Sequence, residues 1–292
     1  MTDVSILGTG LMGAAMARVL LRNGYSVTVW NRSPAKASHL KREGAVIASS
    51  ATEAITASPL VFFVILSYDN VRALLTDALE HRDIGDVVNV VTGSPTEADE
   101  LEAWTRENGI TLLDGALLTY PKGIGRDDTV VLYSGDEGAW RRNETMLRGL
   151  AGGSQYLGHQ ARLANAVDHV SLSFVSIVQT AMLSTLAYAQ VLGVPREQAV
   201  ARMHRSLTNM KGYLDYALPM VDSGDFSATE STIDTWALST RDFARGWRDA
   251  GLSGKAIAAA AETVRGAQEA GLGQFDLAAV YQFELGQADS SS

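Results

Sequence analysis

The sequence contains no cysteine and only six prolines among its 292 residues. Without cysteine the chain can form neither a disulfide framework nor a thiolate metal site, and a reducing cytosol would not affect it, so we expect a cytoplasmic location. The longest run of apolar residues, Leu60 to Leu66, is far too short to span a membrane, and the first strand is expected to begin by Asp3 or Val4, which leaves no room for a signal peptide. We therefore expect no membrane partner.

Positive charge is also scarce, with 24 lysines and arginines against 33 acidic residues and a net charge of −9. Such a surface repels the phosphates of nucleic acids, so we expect no nucleic-acid partner, and an anionic ligand has to bind through local features. Because 46% of the residues are hydrophobic, the chain has enough apolar surface to form two domains.

A glycine pattern follows the first apolar run. VSILGTGLMG, from Val4 to Gly13, ends in the spacing G-x-G-x-x-G, then a helical pattern runs to Asn23 and Gly24, and Tyr25 to Trp30 is typical of a second strand. In such a unit the first glycine permits a tight turn, the second lets a pyrophosphate approach the backbone, and the third lets helix and strand pack closely. The unit predicts a dinucleotide site formed by Gly8, Thr9, Gly10, Leu11, Met12 and Gly13.

An acidic residue is missing after the second strand, where NAD-binding proteins place a carboxylate for the ribose 2′-hydroxyl. The chain has Asn31, Arg32 and Ser33 there, with Lys36 nearby. The planar guanidinium of Arg32 can bind a 2′-phosphate, and the other three side chains add donors. This segment therefore predicts NADPH as the cofactor rather than NADH. In the alternative interpretation, Arg32 and Lys36 are solvated charges at the start of a helix.

Strand-like and helical segments alternate up to about residue 159. A helix is predicted from Ser33 to Gly44, and the expected further strands are Leu60–Leu66, Val87–Val91, Ile110–Asp114, Thr129–Ser134 and Gln155–Gly158. This alternation indicates an α/β domain of the Rossmann type over residues 1–159, with a doubly wound parallel sheet. Loops that follow its strands are expected to contribute further cofactor-binding residues, namely Leu66, Ser67, Thr92, Gly93 and Ser94, although Ser94 fits a plain helix cap equally well.

Neither proline nor glycine occurs from residue 160 to residue 191, and apolar residues recur there at steps of three and four. The pattern predicts one interdomain helix of roughly 45 Å. Further helices are expected over 197–207, 230–250, 253–270 and 275–284, with breaks at Gly212, Pro219, Gly224, Gly251 and Gly271, so that residues 160–292 form an all-α domain. Because such a domain has a thin core, we expect two chains to wrap around each other in a homodimer that shares its active site.

Three stretches resemble the imine reductases and reductive aminases of the β-hydroxyacid dehydrogenase superfamily. The first is DGALLTYPKGIG, from Asp114 to Gly125, followed by VVLYSGD; the second is TGSPTEA, from Thr92 to Ala98. The third is RLANAVDHVSL, where Asp168 stands at the place of the aspartate that imine reductases carry on the interdomain helix. The resemblance implies a reductase that transfers hydride from NADPH to a cyclic imine or iminium carbon and forms an amine.

The resemblance also implies site residues. Asp168 is expected to act on the substrate nitrogen, either as a carboxylate that holds the iminium cation or as a proton donor. Reductive aminases often have asparagine at the position of Thr92 and tyrosine at that of Ser176. The expected substrate-binding residues are Thr92, Tyr120, Ser176, Asn209 and Trp236, with Tyr213 and Tyr216 as further candidates. No cluster of His, Asp and Glu has ligand spacing, so no metal site is expected.

Two other functions stay open. A hydroxyacid dehydrogenase has a catalytic lysine in the pattern G-x-x-x-K-x-x-N, and this chain has Gly158, Arg162 and Asn165 at that spacing. Arginine titrates too high to exchange a proton as lysine does, and the usual loop for a substrate carboxylate is missing near Leu118, which argues against this function. In a non-catalytic NADPH-binding dimer, Asp168 would instead pair with Arg162 or with a cation of the partner chain.

Overall fold

The structure is a computed structural model that describes residues 1–81 and 84–290, the last three of these by backbone alone. It divides into two compact units, Met1–Ser173 and Phe174–Ser292. The boundary between the domains at residue 159 stays a prediction from the sequence.

The first unit is built on an eight-stranded sheet in the order β3-β2-β1-β4-β5-β6-β7-β8. The strands are β1 Val4–Leu7, β2 Val27–Trp30, β3 Val46–Ile47, β4 Leu60–Phe63, β5 Asp86–Asn89, β6 Leu112–Leu117, β7 Val131–Gly135 and β8 Gln155–Tyr156. The doubly wound α/β class is confirmed. The sheet is mainly parallel, as expected, but β6 and β7 at one end pair antiparallel. The segment between these two strands contains one 3₁₀ turn, Pro121–Gly123, and a parallel pair would need a longer crossover.

Six helices accompany the sheet: α1 Leu11–Arg22, α2 Ser38–Lys41, α3 Ala51–Thr56, α4 Tyr68–Ala78, α5 Pro95–Glu107 and α6 Glu137–Leu150. The single helix predicted from Ser33 to Gly44 is wrong, because the chain forms a 3₁₀ turn at Pro34–Lys36 before the short α2. The Ser38 hydroxyl donates a hydrogen bond to the Ala35 carbonyl at 2.8 Å. Such local bonds compete with the regular helical pattern.

Two apolar clusters form the core on the two faces of the sheet. Side chains alternate between faces along each strand, so Phe62 belongs to one cluster and Phe63 to the other, and both are fully buried. In the sheet, β2 lies on one side of β1 and β4 lies on the other side. The carboxyl ends of β1 and β4 therefore border the crevice in which doubly wound sheets bind ligands.

The predicted long helix is α7, Arg162–Val191. Its start is fixed to β7, because the Ser134 hydroxyl donates to the Ala161 carbonyl at 2.7 Å and accepts a hydrogen bond from the Ala164 amide at 2.9 Å. Within this fully described helix only Ala164, Asn165 and Asp168 are buried. By length and composition alone α7 could cross a membrane, which is weak evidence because interior helices of other proteins pass the same test.

The second unit contains α8 Arg196–Ser223, α9 Ile233–Asp249, α10 Lys255–Ala267 and α11 Val280–Ser290. The breaks predicted at Gly212 and Pro219 are wrong, since α8 continues through both residues and ends at Gly224. A glycine inside a helix costs only about 1 kcal/mol. Pro219 has no backbone N–H to donate, but it lies near the end of α8, so its effect is confined to the last turns of the helix. The unit has a small core of mostly small side chains around Phe226, Ile233 and Val264.

Candidate active site

The glycine loop lies between β1 and α1, and each of its glycines has a separate structural reason. Gly8 has φ +102°, and a Cβ atom there would lie 2.1 Å from the Val64 carbonyl oxygen. A Cβ atom on Gly13 would lie 1.9 Å from the carbonyl oxygen of Gly8, so only glycine lets α1 approach the strand this closely. A Cβ atom on Gly10 would meet nothing within 4 Å, which leaves open space beside the start of α1.

The amino terminus of α1 faces this space without a protein partner. Gly10 is its N-cap and supplies no side-chain hydrogen bond, and no acidic residue occurs in the first turn. The exposed amides and the helix dipole therefore favour an anion. Nearby, the buried hydroxyl of Thr9 has no hydrogen-bond partner among the described residues. Leu11 is 84% exposed, whereas Met12 packs partly against the core.

The segment after β2 forms one wall of a cavity of about 310 Å³. The Asn31 side chain shapes this wall, because its Oδ1 accepts a hydrogen bond from the Thr9 amide at 3.0 Å and its Nδ2 donates to the Ser33 carbonyl at 3.1 Å. Arg32 and Lys36 are exposed and form no salt bridge with the described part of the chain. Both line the cavity together with Gly8 and Gly10, and the lining contains no carboxylate.

The opposite wall comes from the segment after β4. Val64, Ile65 and the exposed Leu66 line the cavity, followed by three residues of α4, which are Asn70, Ala73 and Leu74. Ser67 caps α4 and accepts a hydrogen bond from the Asn70 amide at 3.3 Å. The cavity has a cationic corner, an uncapped helix start and an apolar side wall, and these features fit a dinucleotide that carries a 2′-phosphate.

The loop after β5 contains Thr92, Gly93 and Ser94. The Ser94 side chain forms a capping box with Glu97 at the start of α5, which is the helix-cap role that its sequence context also allowed. A Cβ atom on Gly93 would lie 2.3 Å from the Tyr68 ring, so glycine permits the loop to pack on that ring. Thr92 is exposed, and its assignment to substrate or cofactor stays a prediction.

Asp168 lies in the first turns of α7 and is 3% exposed. Its Oδ1 is buried and has no hydrogen-bond partner among the described residues. Burial raises the pKa of this carboxyl, and the neighbouring His169 opposes that change. The expected alternative, a pair with Arg162, is not formed, because Arg162 lies 3.4 Å from the carboxylate of Asp99 instead. Asp168 is therefore a buried acid whose Oδ1 is free for a donor.

A second buried acid, Asp114 on β6, was not predicted as a site residue. Its Oδ2 accepts hydrogen bonds from the Tyr68 hydroxyl at 2.7 Å and from Asn89 Nδ2 at 2.9 Å, and its Oδ1 accepts one from Asn165 Nδ2. Burial raises the pKa of Asp114 to about 7, although these hydrogen bonds act in the opposite direction. Burial and the charge of Asp114 also raise the pKa of Tyr68.

Comparison with known proteins agrees with this arrangement. Residues 3–158 match the NAD binding domain of 6-phosphogluconate dehydrogenase, and residues 160–284 match the C-terminal domain of NADPH-dependent reductive aminase-like proteins. An NADPH-dependent reductive aminase from Aspergillus oryzae is 28% identical over 283 residues, which cover 96% of each chain. The chain belongs to the imine reductase and reductive aminase family, within the β-hydroxyacid dehydrogenase superfamily.

Solved structures of the family cover almost the entire chain. The imine reductase from Myxococcus stipitatus, solved with NADP⁺, aligns with a TM-score of 0.90 at 27% identity, over 96% of this chain and 99% of its own. The reductive aminase from Aspergillus terreus, solved with NADPH and ethyl levulinate, aligns with a TM-score of 0.88 at 28% identity, over 97% and 99% of the two chains.

The superfamily also contains hydroxyacid dehydrogenases. A probable 3-hydroxyisobutyrate dehydrogenase from Mycobacterium tuberculosis is 28% identical over 200 residues, or 66% of each chain. The match of residues 160–284 to reductive aminase-like proteins distinguishes this chain from those dehydrogenases. In addition, Arg162 forms an ion pair with Asp99, and an arginine does not exchange a proton as a catalytic lysine does, which argues further against a role for it as a general base.

The other expected substrate residues lie apart in the sequence and are exposed. Tyr120, in the first unit, is 76% exposed beside the Pro121–Gly123 turn. In the second unit, Ser176 and Asn209 are exposed and Trp236 is 37% exposed. Their roles stay predictions. Tyr213 and Tyr216 each donate to the buried carboxylate of Asp276 at 3.3 Å, so both have a structural partner.

Among the described residues, no group of three or more His, Cys, Asp or Glu side chains could hold a metal ion. The expectation of no metal site stays a prediction. The Asp114 network, which sequence reasoning missed, had one visible signal. An acid within the apolar run Leu112–Leu117, like the asparagine in Val87–Val91, indicates a buried polar group that requires partners.

Proposed function

We propose that the chain is an NADPH-dependent imine reductase, which converts a small imine or iminium compound into an amine. The observation that carries this function is the buried Asp168 carboxyl with its unpartnered Oδ1, in a chain whose glycine loop and Arg32 corner fit a dinucleotide phosphate. An unpaired acid in such a position is costly unless a substrate or a proton uses it. Family members solved with NADPH or NADP⁺ support the cofactor.

The bound NADPH would supply the hydride, and the residues of the chain would bind and position the cofactor. The amides at the start of α1 would bind the pyrophosphate, while Arg32, Ser33 and Lys36 would bind the 2′-phosphate. Asn31 keeps this corner in place through its bonds to Thr9 and Ser33. Gly8 and Gly13 fix the turn that presents the amides.

Asp168 acts on the nitrogen of the substrate. An imine carbon accepts hydride well when its nitrogen is cationic, so a single carboxyl group suffices for catalysis. It either donates a proton to a neutral imine or, as a carboxylate, holds an iminium cation. Burial favours the acid form of Asp168, and a bound cation favours the carboxylate, so both forms are accessible during one cycle.

One experiment separates this function from its two alternatives. The protein is incubated with NADPH and a panel of cyclic imines, and separately with NADP⁺ and β-hydroxyacids, while the cofactor absorbance is followed. We expect oxidation of NADPH with imines and no reduction of NADP⁺ with hydroxyacids. The reverse pattern indicates a hydroxyacid dehydrogenase, and cofactor binding without either reaction indicates a non-catalytic binding protein.

The active unit is a homodimer in which the chains exchange helices and share the substrate cleft. The support for this proposal is α7, which has no buried residue after Asp168 but carries large apolar side chains, among them Phe174 and Ile177. A second copy of the chain would cover this surface. We place the enzyme in the cytoplasm, in accord with its lack of cysteine.

A further inference from the structure

Two buried oxygen atoms on α7 have no hydrogen-bond donor among the described residues. They are Oδ1 of Asn165, which is 1% exposed, and Oδ1 of Asp168, which is 3% exposed. Residues three positions apart lie on the same face of a helix, with their Cβ atoms about 5–6 Å apart. Two acceptors on the same face of a helix can be joined by a hydrogen bond when one of them carries a proton.

The orientation of the Asn165 amide is imposed from outside α7. Its Nδ2 donates hydrogen bonds to Oδ1 of Asp114 and to the hydroxyl of Tyr68. The Asp114 carboxylate accepts only, so the NH₂ group of Asn165 faces it and the carbonyl oxygen turns away. This arrangement ties α7 to β6 and α4, and hence to the loop that Gly93 packs on the Tyr68 ring.

We propose that Asn165 is a positioning residue, whose amide is oriented by Asp114 and Tyr68 so that its Oδ1 accepts a hydrogen bond from the protonated carboxyl of Asp168. The acid form is thereby held ready to donate its proton to the nitrogen of a neutral imine. In that step the O–H bond of Asp168 breaks, an N–H bond forms, and Asp168 becomes a carboxylate beside the iminium cation. This inference rests on the proposed imine reduction and assigns Asp168 the donor role in it.

Few charges in the first unit compete with this effect. The neighbouring His169 acts to lower the pKa of Asp168 and also that of Glu97 on α5. Arg162 on α7 is paired with Asp99. Around Asp114 the relevant groups are Tyr68 on α4, Asn89 on β5 and Glu102 on α5, and Glu102 raises the pKa of Asp114 further.

The substitution Asp114→Asn tests the orientation of the Asn165 amide, because it replaces one carboxylate oxygen of Asp114 by an NH₂ group. Tyr68 and Asn89 both donate to the Oδ2 position, so the oxygen of the new amide stays there and its NH₂ group takes the Oδ1 position. Two NH₂ groups cannot face each other, so Asn165 rotates and presents its own NH₂ group toward Asp168. A donor in that place stabilises the carboxylate and lowers the pKa of Asp168.

The experiment compares profiles of kcat/KM against pH on a neutral cyclic imine, over the range that contains the basic limb of the parent. We expect the basic limb of Asp114→Asn to move to lower pH by about one unit, because one hydrogen bond to a buried carboxyl has an effect of that order. The KM for NADPH should remain that of the parent. On a preformed quaternary iminium, which needs no proton, the two basic limbs should coincide.

Asp86→Asn is the matched control, since Asp86 is a partly buried aspartate of the same sheet that pairs with Arg142. The pH profile of kcat/KM of this variant should match that of the parent. If Asp114→Asn does not fold, Asn165→Ala takes its place. A water in the vacated space can donate a hydrogen bond to the Asp168 carboxylate, so the basic limb of this variant should also move to lower pH. Basic limbs that coincide with the parent, or move upward, overturn the proposal.

A measurement without turnover separates this inference from the proposed function. Carboxyl ¹³C shifts of labelled aspartate are titrated in the protein alone, and the Asp168 resonance is assigned with Asp168→Asn. A titration midpoint that falls both in Asp114→Asn and in Asn165→Ala, which keeps the charge of Asp114, supports the orientation by Asn165. A midpoint that falls in Asp114→Asn alone reflects only the lost charge, and this outcome or an unchanged midpoint refutes the proposal. Failure to reduce any imine contradicts the proposed function instead.

Discussion

Arg32 and Asp168 both lack a salt-bridge partner among the described residues, and they differ in their surroundings. Arg32 is exposed at the edge of a cavity, whereas Asp168 is buried on α7. Water solvates the guanidinium of Arg32 at little cost, so the exposed position of this side chain alone does not show that it binds a ligand. An unpaired buried carboxylate costs several kcal/mol, so Asp168 is either neutral or used. Each side chain therefore requires its own test.

Arg32→Glu should change the cofactor preference. The substitution replaces an attraction to the 2′-phosphate by a repulsion, so we expect the KM for NADPH to rise by about a hundredfold and that for NADH to change by less than about threefold. Steady-state kinetics with both cofactors measure this. Lys41→Glu is the control, since it makes the same charge change outside the cavity. An equal effect on the two cofactors would show that Arg32 is only a solvated charge.

Asp168→Asn should lower turnover without affecting cofactor binding. The new side chain keeps the size and polarity but loses both the charge and the acidic proton, so kcat for a neutral imine should fall by about 10²-fold or more. Fluorescence titration with NADPH should give the parent affinity. Activity retained on a quaternary iminium favours proton donation, and activity lost there favours the ion pair. If the variant equals the parent on neutral imines at every pH, Asp168 is structural.

The sequence provided grounds to propose these two residues but not the Asp114 network. Arg32 follows the second strand of a glycine-loop unit, and Asp168 lies in a stretch that resembles the imine reductases, so both could be proposed from short segments, and their roles stay predictions. The partners of Asp114 come from α4, β5 and α7, and only the folded sheet brings Tyr68, Asn89 and Asn165 together. Local sequence patterns do not predict which residues of separate elements the fold brings into contact.

At the scale of elements, breaks were harder to predict than continuous segments. The absence of glycine and proline identified α7, because nothing in the segment interrupts a helical pattern. The same argument wrongly divided α8, since Gly212 and Pro219 weaken a helix without ending it. The antiparallel direction of β7 was also missed, because a strand pattern does not specify its direction and the connection to β6 decides it.

Two glycines of the same turn should respond differently to alanine. Gly13→Ala would place a Cβ atom 1.9 Å from a backbone oxygen, so we expect a loss of about 2 kcal/mol or more in the free energy of unfolding. Gly10 has φ −66° and open space, so Gly10→Ala should change that energy by less than about 1 kcal/mol. It should nevertheless weaken NADPH binding about tenfold or more, since the methyl group occupies the space of the pyrophosphate.

Chemical denaturation and cofactor titration of both variants give the two quantities. The pair serves as its own control, because both substitutions add one methyl group within one turn of the chain. Loss of folding in Gly10→Ala, or full stability in Gly13→Ala, would contradict the separate roles given to the two glycines.

At the scale of the whole molecule, the two compact units differ in how well they are filled. The first has large buried side chains on both faces of its sheet, whereas the buried core cluster of the second is small and half of its residues are alanines. Along α7, Val170, Phe174 and Ile177 are 75%, 61% and 68% exposed, at steps of four and three that place them on one face. Leu183, on another face, is 70% exposed. A helix that is apolar on several faces is stable when other chain segments surround it.

We therefore expect an obligate dimer that dissociates when this surface is charged. Covering a large apolar side chain gains about 2 kcal/mol, whereas burying an aspartate in its place costs at least as much, so Phe174→Asp should weaken association by about 10²-fold or more. Sedimentation velocity over a range of concentrations measures the change, and imine reduction should be lost with the dimer if the two chains share the cleft as proposed. Arg106→Asp, an exposed change at the end of α5, should sediment and react as the parent does. A parent chain that sediments as an active monomer would mean that α7 needs no second copy and that each chain completes its own site.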